Sequence, residues 1–300
     1  MSHDHEHHHH HHHGAPASIG AIFIVSIALN ALFVIIEAAV GLWQDSMSLL
    51  SDAGHNLSDV LSLVLVLVAF RLAKHRSTNR YTYGYKKSTV LISLLNALIL
   101  LVAVGAIVAE SIHKLRQPAA LDGGVISWTA GVGIVINGLT ALLLMKGQKE
   151  DLNVRGAFLH MAADTLVSVG VVISGVVIRL TGLYIIDPIV SLIIALVILI
   201  TTWDLLSDSL RLSLDGIPEG IDIAHIEEQM LQTDNVLDVH HVHIWAISTT
   251  ENALTAHVVI KDLSTMEQTK SQLKHQLSDL GICHATLEIE NKDSDCHETC

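Results

Sequence analysis

Two pairs of residues with one shared spacing have the right chemistry to hold a metal ion. His55 and Asp59 form the first, His160 and Asp164 the second, each at i, i+4. On a helix that spacing puts both side chains on one face. The H-x-x-x-D pattern recurs at an offset of 105 residues, and both copies fall within stretches apolar enough for a membrane. Ionisable side chains at membrane depth cost at least about 2.5–3.5 kcal/mol, which marks them as functional. Two imidazoles and two carboxylates can close a tetrahedral zinc site. Taken singly, each pair also reads as a His–Asp hydrogen bond steadying its own helix; the matched repeat favours a shared site.

Charge suggests what such a site does. Two bare carboxylates facing each other in a low-dielectric site must be balanced by a divalent cation or by protons. Metal binding displaces protons from its ligands, and histidine exchanges them near neutral pH. The expected behaviour is an exchange of Zn²⁺ for H⁺. Imidazole ligands favour zinc and its transition-metal neighbours over Mg²⁺, Ca²⁺ and Mn²⁺. Asp52, seven residues before Asp59, reads equally as an aid to metal release or as a capping group. Glu37, Asn30, Asn96 and Asn137 read as hydrogen-bonding groups between helices.

The elements that must carry these residues follow from hydropathy. Half of the 300 residues are hydrophobic and 16% are charged, with mean hydropathy +0.49; disordered, collagen-like and disulfide-scaffold classes are excluded. Six apolar spans are expected, at about 19–43, 46–72, 88–113, 124–145, 157–180 and 183–206, each long enough for a bilayer core about 30 Å thick. The connection after the second span carries Arg71, Lys74, Arg76, Arg80, Lys86 and Lys87, and that after the fourth carries Lys146, Lys149 and Arg155. The other connections are poor in positive charge, so both termini are expected on the cytoplasmic side. Trp43, Trp128 and Trp203 near span ends fit interfacial anchors.

The chain divides into three parts: a histidine-rich tail over 1–18, a six-helix membrane bundle over 19–208 and a small α+β domain over 209–300. The first part holds His7 to His13 with Asp4 and Glu6 nearby and has too little apolar surface to fold. It reads as a native metal-gathering tail or as a purification tag, the interleaved acids favouring the former. His5-Glu6-His7-His8-His9 matches the HExxH protease pattern only formally, because that motif works on a helix and no apolar face accompanies it. The last part shows helical spacing over 221–231, strands over 236–247 and 253–260, helical spacing over 266–280 and a strand over 285–289. That is an αββαβ order of the layered α+β kind. Its 5 basic and 16 acidic residues, a balance of −11 within a chain total of −13, argue against nucleic acid and for attracting cations.

The sequence resembles the cation diffusion facilitator family, in its zinc-transporting branch. Ser51-Asp52-Ala53-Gly54-His55-Asn56-Leu57-Ser58-Asp59 is similar to the family's second-span motif and Leu159-His160-Met161-Ala162-Ala163-Asp164 to its fifth-span motif. Arg80-Tyr81-Thr82-Tyr83-Gly84-Tyr85 resembles the loop signature, and Asp187-Pro188 the start of the sixth helix. His240-His241-Val242-His243-Ile244-Trp245 and Thr255-Ala256-His257-Val258 resemble the tail domain. The resemblance implies a homodimeric antiporter that carries Zn²⁺ out of the cytoplasm against H⁺ and has a ferredoxin-like cytoplasmic domain. It assigns transport to His55, Asp59, His160 and Asp164, and the histidine at 55 implies zinc over cadmium. Tyr81 and Tyr85 stand where some members have loop histidines, so no loop metal site is expected. The absence of a long histidine-rich loop between spans four and five points to a bacterial member, and so to the inner membrane.

On the same resemblance His240, His257 and Glu290 match metal ligands of the tail domain, with Cys283, His284 or Glu288 as additions. His241 and His243 are expected to stay out, because alternation along a strand sends neighbours to opposite faces. All three cysteines, Cys283, Cys296 and Cys300, fall near the C-terminus, which suits metal ligation rather than a disulfide framework. Cys296 and Cys300 with His297 and Glu298 read either as a soft metal cluster or as a frayed end. Two tails at −11 repel in a dimer, and bound zinc is expected to draw them together.

The favoured function is proton-coupled zinc export. A broader exporter of Cd²⁺, Co²⁺ or Ni²⁺ is the alternative within the class. A membrane zinc sensor is a third reading, which the buried paired site disfavours, since the tail alone would suffice for sensing. An intramembrane zinc enzyme needs an open coordination position and a general base beside it. A His₂Asp₂ site is closed and no span holds HExxH, so no enzyme is expected.

Overall fold

The computed structural model describes residues 17–43, 47–116, 123–183 and 185–292. Six long helices come first: α1 (Ala17–Trp43), α2 (Met47–Ala73), α3 (Ser88–Arg116), α4 (Gly123–Leu144), α5 (Leu152–Thr181) and α6 (Ile186–Ser213). Among the described residues three are long and apolar enough to cross a bilayer on composition alone, over Gly20–Val40, Ser88–Arg116 and Pro188–Ser213. The bundle turns apolar side chains outward, among them Ile35, Val102, Ile193 and Ile200, as a helix facing lipid must. Inward, Phe23, Leu63, Val66, Leu144 and Met161 pack where α1, α2, α4 and α5 meet.

Buried polar groups fasten these helices in pairs. Asn30 donates to Thr140 Oγ1 at 3.1 Å, joining α1 to α4. Asn56 donates to Glu37 Oε2 at 2.8 Å, joining α2 to α1. Ser93 and Ser209 share a 2.9 Å hydrogen bond between α3 and α6. The bridging expected of Asn96 does not occur; its amide is buried and neither side-chain atom finds a hydrogen-bond partner.

Helix α5 starts five residues before the apolar run at 157, because Asp151 caps it. The carboxylate accepts from the backbone N–H groups of Asn153 at 2.7 Å and Val154 at 3.2 Å, which satisfies donors that a helix start leaves open. Helix α6 continues to Ser213, past the boundary read at 208.

The remaining elements are α7 (Ile223–Leu231), β1 (Val236–Ala246), β2 (Asn252–Ile260), α8 (Met266–Asp279) and β3 (Ile282–Asn291). The αββαβ order is as the periodicities indicate. Asp222 caps α7 by accepting from Ala224 N at 3.0 Å, and Ile226 and Met230, four apart, turn inward. Thr269, Leu273 and Leu277 repeat that spacing on α8. Gly281, at φ 86°, ends α8 in the left-handed conformation that glycine adopts without strain. The sheet order is β1-β2-β3, antiparallel then parallel. Both helices pack on one core with Ile244, Leu254, Val258, Ile260 and Ile282, each large apolar side chain contributing about 1.5–3 kcal/mol on burial.

The turn between β1 and β2 joins the two regions. Thr249 donates its hydroxyl to Asp151 Oδ2 at 2.5 Å and its backbone N–H to Thr89 Oγ1 at 3.1 Å. Lys87 donates to the carbonyls of Leu212 at 2.7 Å and Ala246 at 3.0 Å and pairs with Asp215 at 2.6 Å. Lys86 pairs with Glu251 at 2.5 Å. The starts of α3 and α5 and the end of α6 therefore lie on the side that bears the small domain.

Candidate metal centres

Helices α2 and α5 bring Asp59, His160 and Asp164 together. His160 Nε2 lies 2.6 Å from Asp59 Oδ1 and 3.7 Å from Asp164 Oδ2, and one ligand atom from each lies within 4.8 Å of the others. Asp59 and His160 are buried, and Asp164 is largely so. His160 stands eight residues into α5, about 12 Å along the helix axis. The set offers one imidazole and two carboxylates in a largely buried place, a donor set that suits a divalent cation. His55 shares a helix with Asp59 one turn away, but its side chain lies outside the described residues, as do those of Asp52, Trp128 and Asp187.

A second group lies at the far end of the sheet. His240 on β1 is paired in register with His257 on β2, and Glu290 near the end of β3 reaches both. His257 Nδ1 is 2.6 Å from Glu290 Oε1, and His240 Nε2 is 3.7 Å from Glu290 Oε2. Those last two atoms are buried and make no hydrogen bond. His240, His257 and Glu290 again have one ligand atom each within 4.8 Å. A buried imidazole nitrogen and a buried carboxylate oxygen 3.7 Å apart, neither hydrogen-bonded, fit a cation that takes both. Asp238 Oδ2, 3.2 Å from His240 Nδ1, fixes the orientation of that ring in the way outer partners of zinc-bound histidine do. Glu288 Oε2 stands 3.5 Å from His257 Nε2 on the exposed side.

Two residues expected at this group are elsewhere. Cys283 and His284 open β3, six or seven residues before Glu290, which is about 20 Å of strand. The Cys283 thiol donates to the carbonyl of Asn252 at 3.1 Å. Partial burial, and then the charge of Glu251, push its pKa up, the opposite of what a metal thiolate needs. His284 packs edge-on against Tyr83 of the loop between α2 and α3, ring centroids 5.4 Å apart. Their nearness to Glu290 in sequence is undone by the extended chain. Cys296, Cys300 and the histidine run at 7–13 lie outside the described residues.

His241 departs from expectation in the other direction. Its ring centroid is 5.3 Å from that of His240 and 5.2 Å from that of His257, on the face that alternation denies it. The pairing register shifts between His240 and His243, and the extra residue turns His241 back. Asp151 was also missed as a linking group. Burial raises its pKa against the opposing hydrogen bonds from Thr249, Asn153 and Val154. The sequence offered one signal for it, an acid immediately before a helical run.

Comparison with known proteins matches the membrane region and the C-terminal domain to separate family models. Residues 23–212 match the cation efflux transmembrane domain family, and residues 218–291 match the cytoplasmic domain of cation efflux proteins. The chain is 33% identical over 276 residues to a cadmium, cobalt and zinc/H(+)-K(+) antiporter of Bacillus subtilis, covering 90% of this chain and 89% of the relative. It is 36% identical over 275 residues to the zinc transporter ZitB of Escherichia coli, covering 90% and 88%. The metal cation efflux system protein CzcD of Cupriavidus metallidurans is 35% identical over 268 residues, covering 89% and 85%. A solved metal-bound C-terminal domain of that transporter shares 36% identity with 23% of this chain, covers 99% of its own length and has a TM-score of 0.22.

Proposed function

The chain belongs to the cation efflux family, a family of metal transporters rather than enzymes, and from that premise we propose that it exports Zn²⁺ from the cytoplasm in exchange for H⁺. The carrying observation is the buried meeting of Asp59, His160 and Asp164 between two helices. His55, one turn from Asp59, completes a tetrahedral His₂Asp₂ set. All six long helices cross the membrane, 19–208 forming the transport domain and 209–300 a ferredoxin-like cytoplasmic domain, with 1–18 as a histidine-rich tail. Both termini face the cytoplasm of a bacterial cell whose inner membrane holds the protein as a homodimer.

Exchange follows from charge. With zinc bound, the two carboxylates are neutralised and the imidazoles are unprotonated. Without zinc, the 2.6 Å contact between His160 and Asp59 holds a proton in place of the metal. A site facing the more acidic side takes up protons and releases zinc. A site facing the cytoplasm loses them as zinc enters. Each half-cycle thus avoids an uncompensated pair of buried carboxylates, and that cost couples the two ions. The tail group, with its facing buried donors, holds a regulatory zinc whose charge offsets the repulsion between two acidic tails.

Transport of cadmium and cobalt as well is a second reading, favoured by relatives whose names include those metals. Zinc flux into proteoliposomes tests the main reading. Wild-type protein is expected to carry zinc, and Asp164→Ala protein is not; equal flux in both would remove the site from the transport path.

A further inference from the structure

Three imidazole rings, not two, surround the tail group. The ring centroids of His240, His241 and His257 are 5.3, 5.2 and 5.4 Å apart, nearly an equilateral triangle. A β-bulge makes this possible. His240 pairs with His257 and His243 pairs with Thr255, so β1 spends two residues where β2 spends one. His241 takes the positive φ of 50°, a conformation in which histidine is enriched among non-glycine residues.

The triangle has the size of a metal centre. A zinc–nitrogen bond of about 2.0–2.1 Å puts the ion about 3.2 Å from the centre of an imidazole aimed at it. Two such rings at the tetrahedral angle then have centres about 5.2 Å apart. All three measured separations fall within about 0.2 Å of that figure. The group of His240, His257 and Glu290 forms without a His241 nitrogen, so ligation by His241 requires its ring to reorient within the triangle.

We propose that His241 is the third imidazole ligand of the tail centre, which is a His₃–carboxylate site for one zinc-class ion with Glu290 as the fourth ligand. The proposal rests on the reading that this group holds a metal. Its consequence is closure. Three ligands leave a position for water and an exchangeable ion, whereas four protein ligands on a sheet of fixed register make a site that retains its metal. Three neutral imidazoles and one carboxylate also reject Mg²⁺, Ca²⁺ and Mn²⁺, which prefer oxygen. The bulge therefore decides whether the tail senses metal by rapid exchange or keeps it.

Cobalt(II), whose visible absorption is intense only in tetrahedral sites, tests this on the full-length chain. The parent protein carries Asp59→Ala and Asp164→Ala, with the run His7 to His13, Cys296 and Cys300 replaced by serine, so that other sites stay silent. It is expected to bind one tetrahedral Co²⁺ per chain. His241→Gly and His241→Asn both suit a positive φ and so keep the bulge. They are expected to weaken binding at least tenfold and to reduce the absorption towards that of higher coordination. His243→Ala, the exposed neighbour, is expected to change neither. Unaltered affinity and spectrum in both His241 variants, with loss in His240→Ala, would overturn the proposal and leave the tail centre standing. Loss in His243→Ala equal to that in His241→Gly would overturn the bulge assignment. A parent that binds no tetrahedral Co²⁺ would overturn the tail reading and this proposal together.

Discussion

The membrane group and the tail group draw on the same two donors, imidazole and carboxylate, but mount them on opposite scaffolds. In the membrane, Asp59, His160 and Asp164 stand on two helices, α2 and α5, that meet over a short contact and share no backbone hydrogen bonds. In the tail, His240, His257 and Glu290 stand on three neighbouring strands whose register is fixed by backbone hydrogen bonds. A metal held between two helices that share no backbone hydrogen bonds is released if the helices move apart. A metal on a hydrogen-bonded sheet has no such route. On the proposed function, donor chemistry selects the ion while the scaffold decides whether the ion passes through or stays.

The sharpest way to break that contrast is to remove a ligand from each group in turn. Asp59→Ala is expected to lower zinc flux in proteoliposomes by more than about 100-fold, since even outer partners of a metal site are worth 10–100-fold. His240→Ala is expected to weaken zinc binding at the tail by about 10–100-fold, read by equilibrium dialysis, while flux at saturating zinc falls only a few-fold. Comparable flux losses in the two variants would show that both groups lie on the transport path.

Smaller effects test how the two regions are joined. Thr249→Val removes the hydroxyl that Asp151 accepts from and leaves a buried carboxylate oxygen short of a donor, a loss of about 1–3 kcal/mol. It is expected to lower the melting temperature of the detergent-solubilised protein without altering tail metal content. Asp151 itself gives the finest probe. Its carboxyl pKa is raised by burial above the ordinary 3.8, so the folded state holds that proton at pH values where the unfolded chain has released it. Stability is therefore expected to fall as pH rises from about 3.8 towards the raised value. Asp151→Asn, which keeps a capping side chain, is expected to remove that component of the slope in melts recorded at a series of pH values.

The helical half of this arrangement was legible because helix periodicity is insensitive to small errors of register. His160 and Asp164 share a face wherever the helix begins, and α5 begins five residues earlier than its apolar run. Strands are less forgiving, since one extra residue reverses every side chain after it. The bulge at His241 leaves no mark in composition, and strict alternation excludes a ring that the backbone brings back. Cys283 and His284 were misplaced for a related reason. Chemistry and nearness in sequence favoured them, but an extended strand carries residues apart by about 3.3 Å at each step. The cap at Asp151 and its bond to Thr249 span 98 residues of sequence, and only the packed fold brings such partners together.

Simultaneous recording of zinc entry and internal pH in one proteoliposome preparation tests the central claim most directly, with an imposed pH gradient and wild-type, Asp59→Ala and His240→Ala proteins side by side. Zinc accumulation matched in time by proton exit is expected for the wild type and for His240→Ala, and neither signal for Asp59→Ala. Zinc entry without proton movement in the wild type, or loss of both signals in His240→Ala with retention in Asp59→Ala, would contradict the division between a membrane group that exchanges ions and a tail group that keeps one.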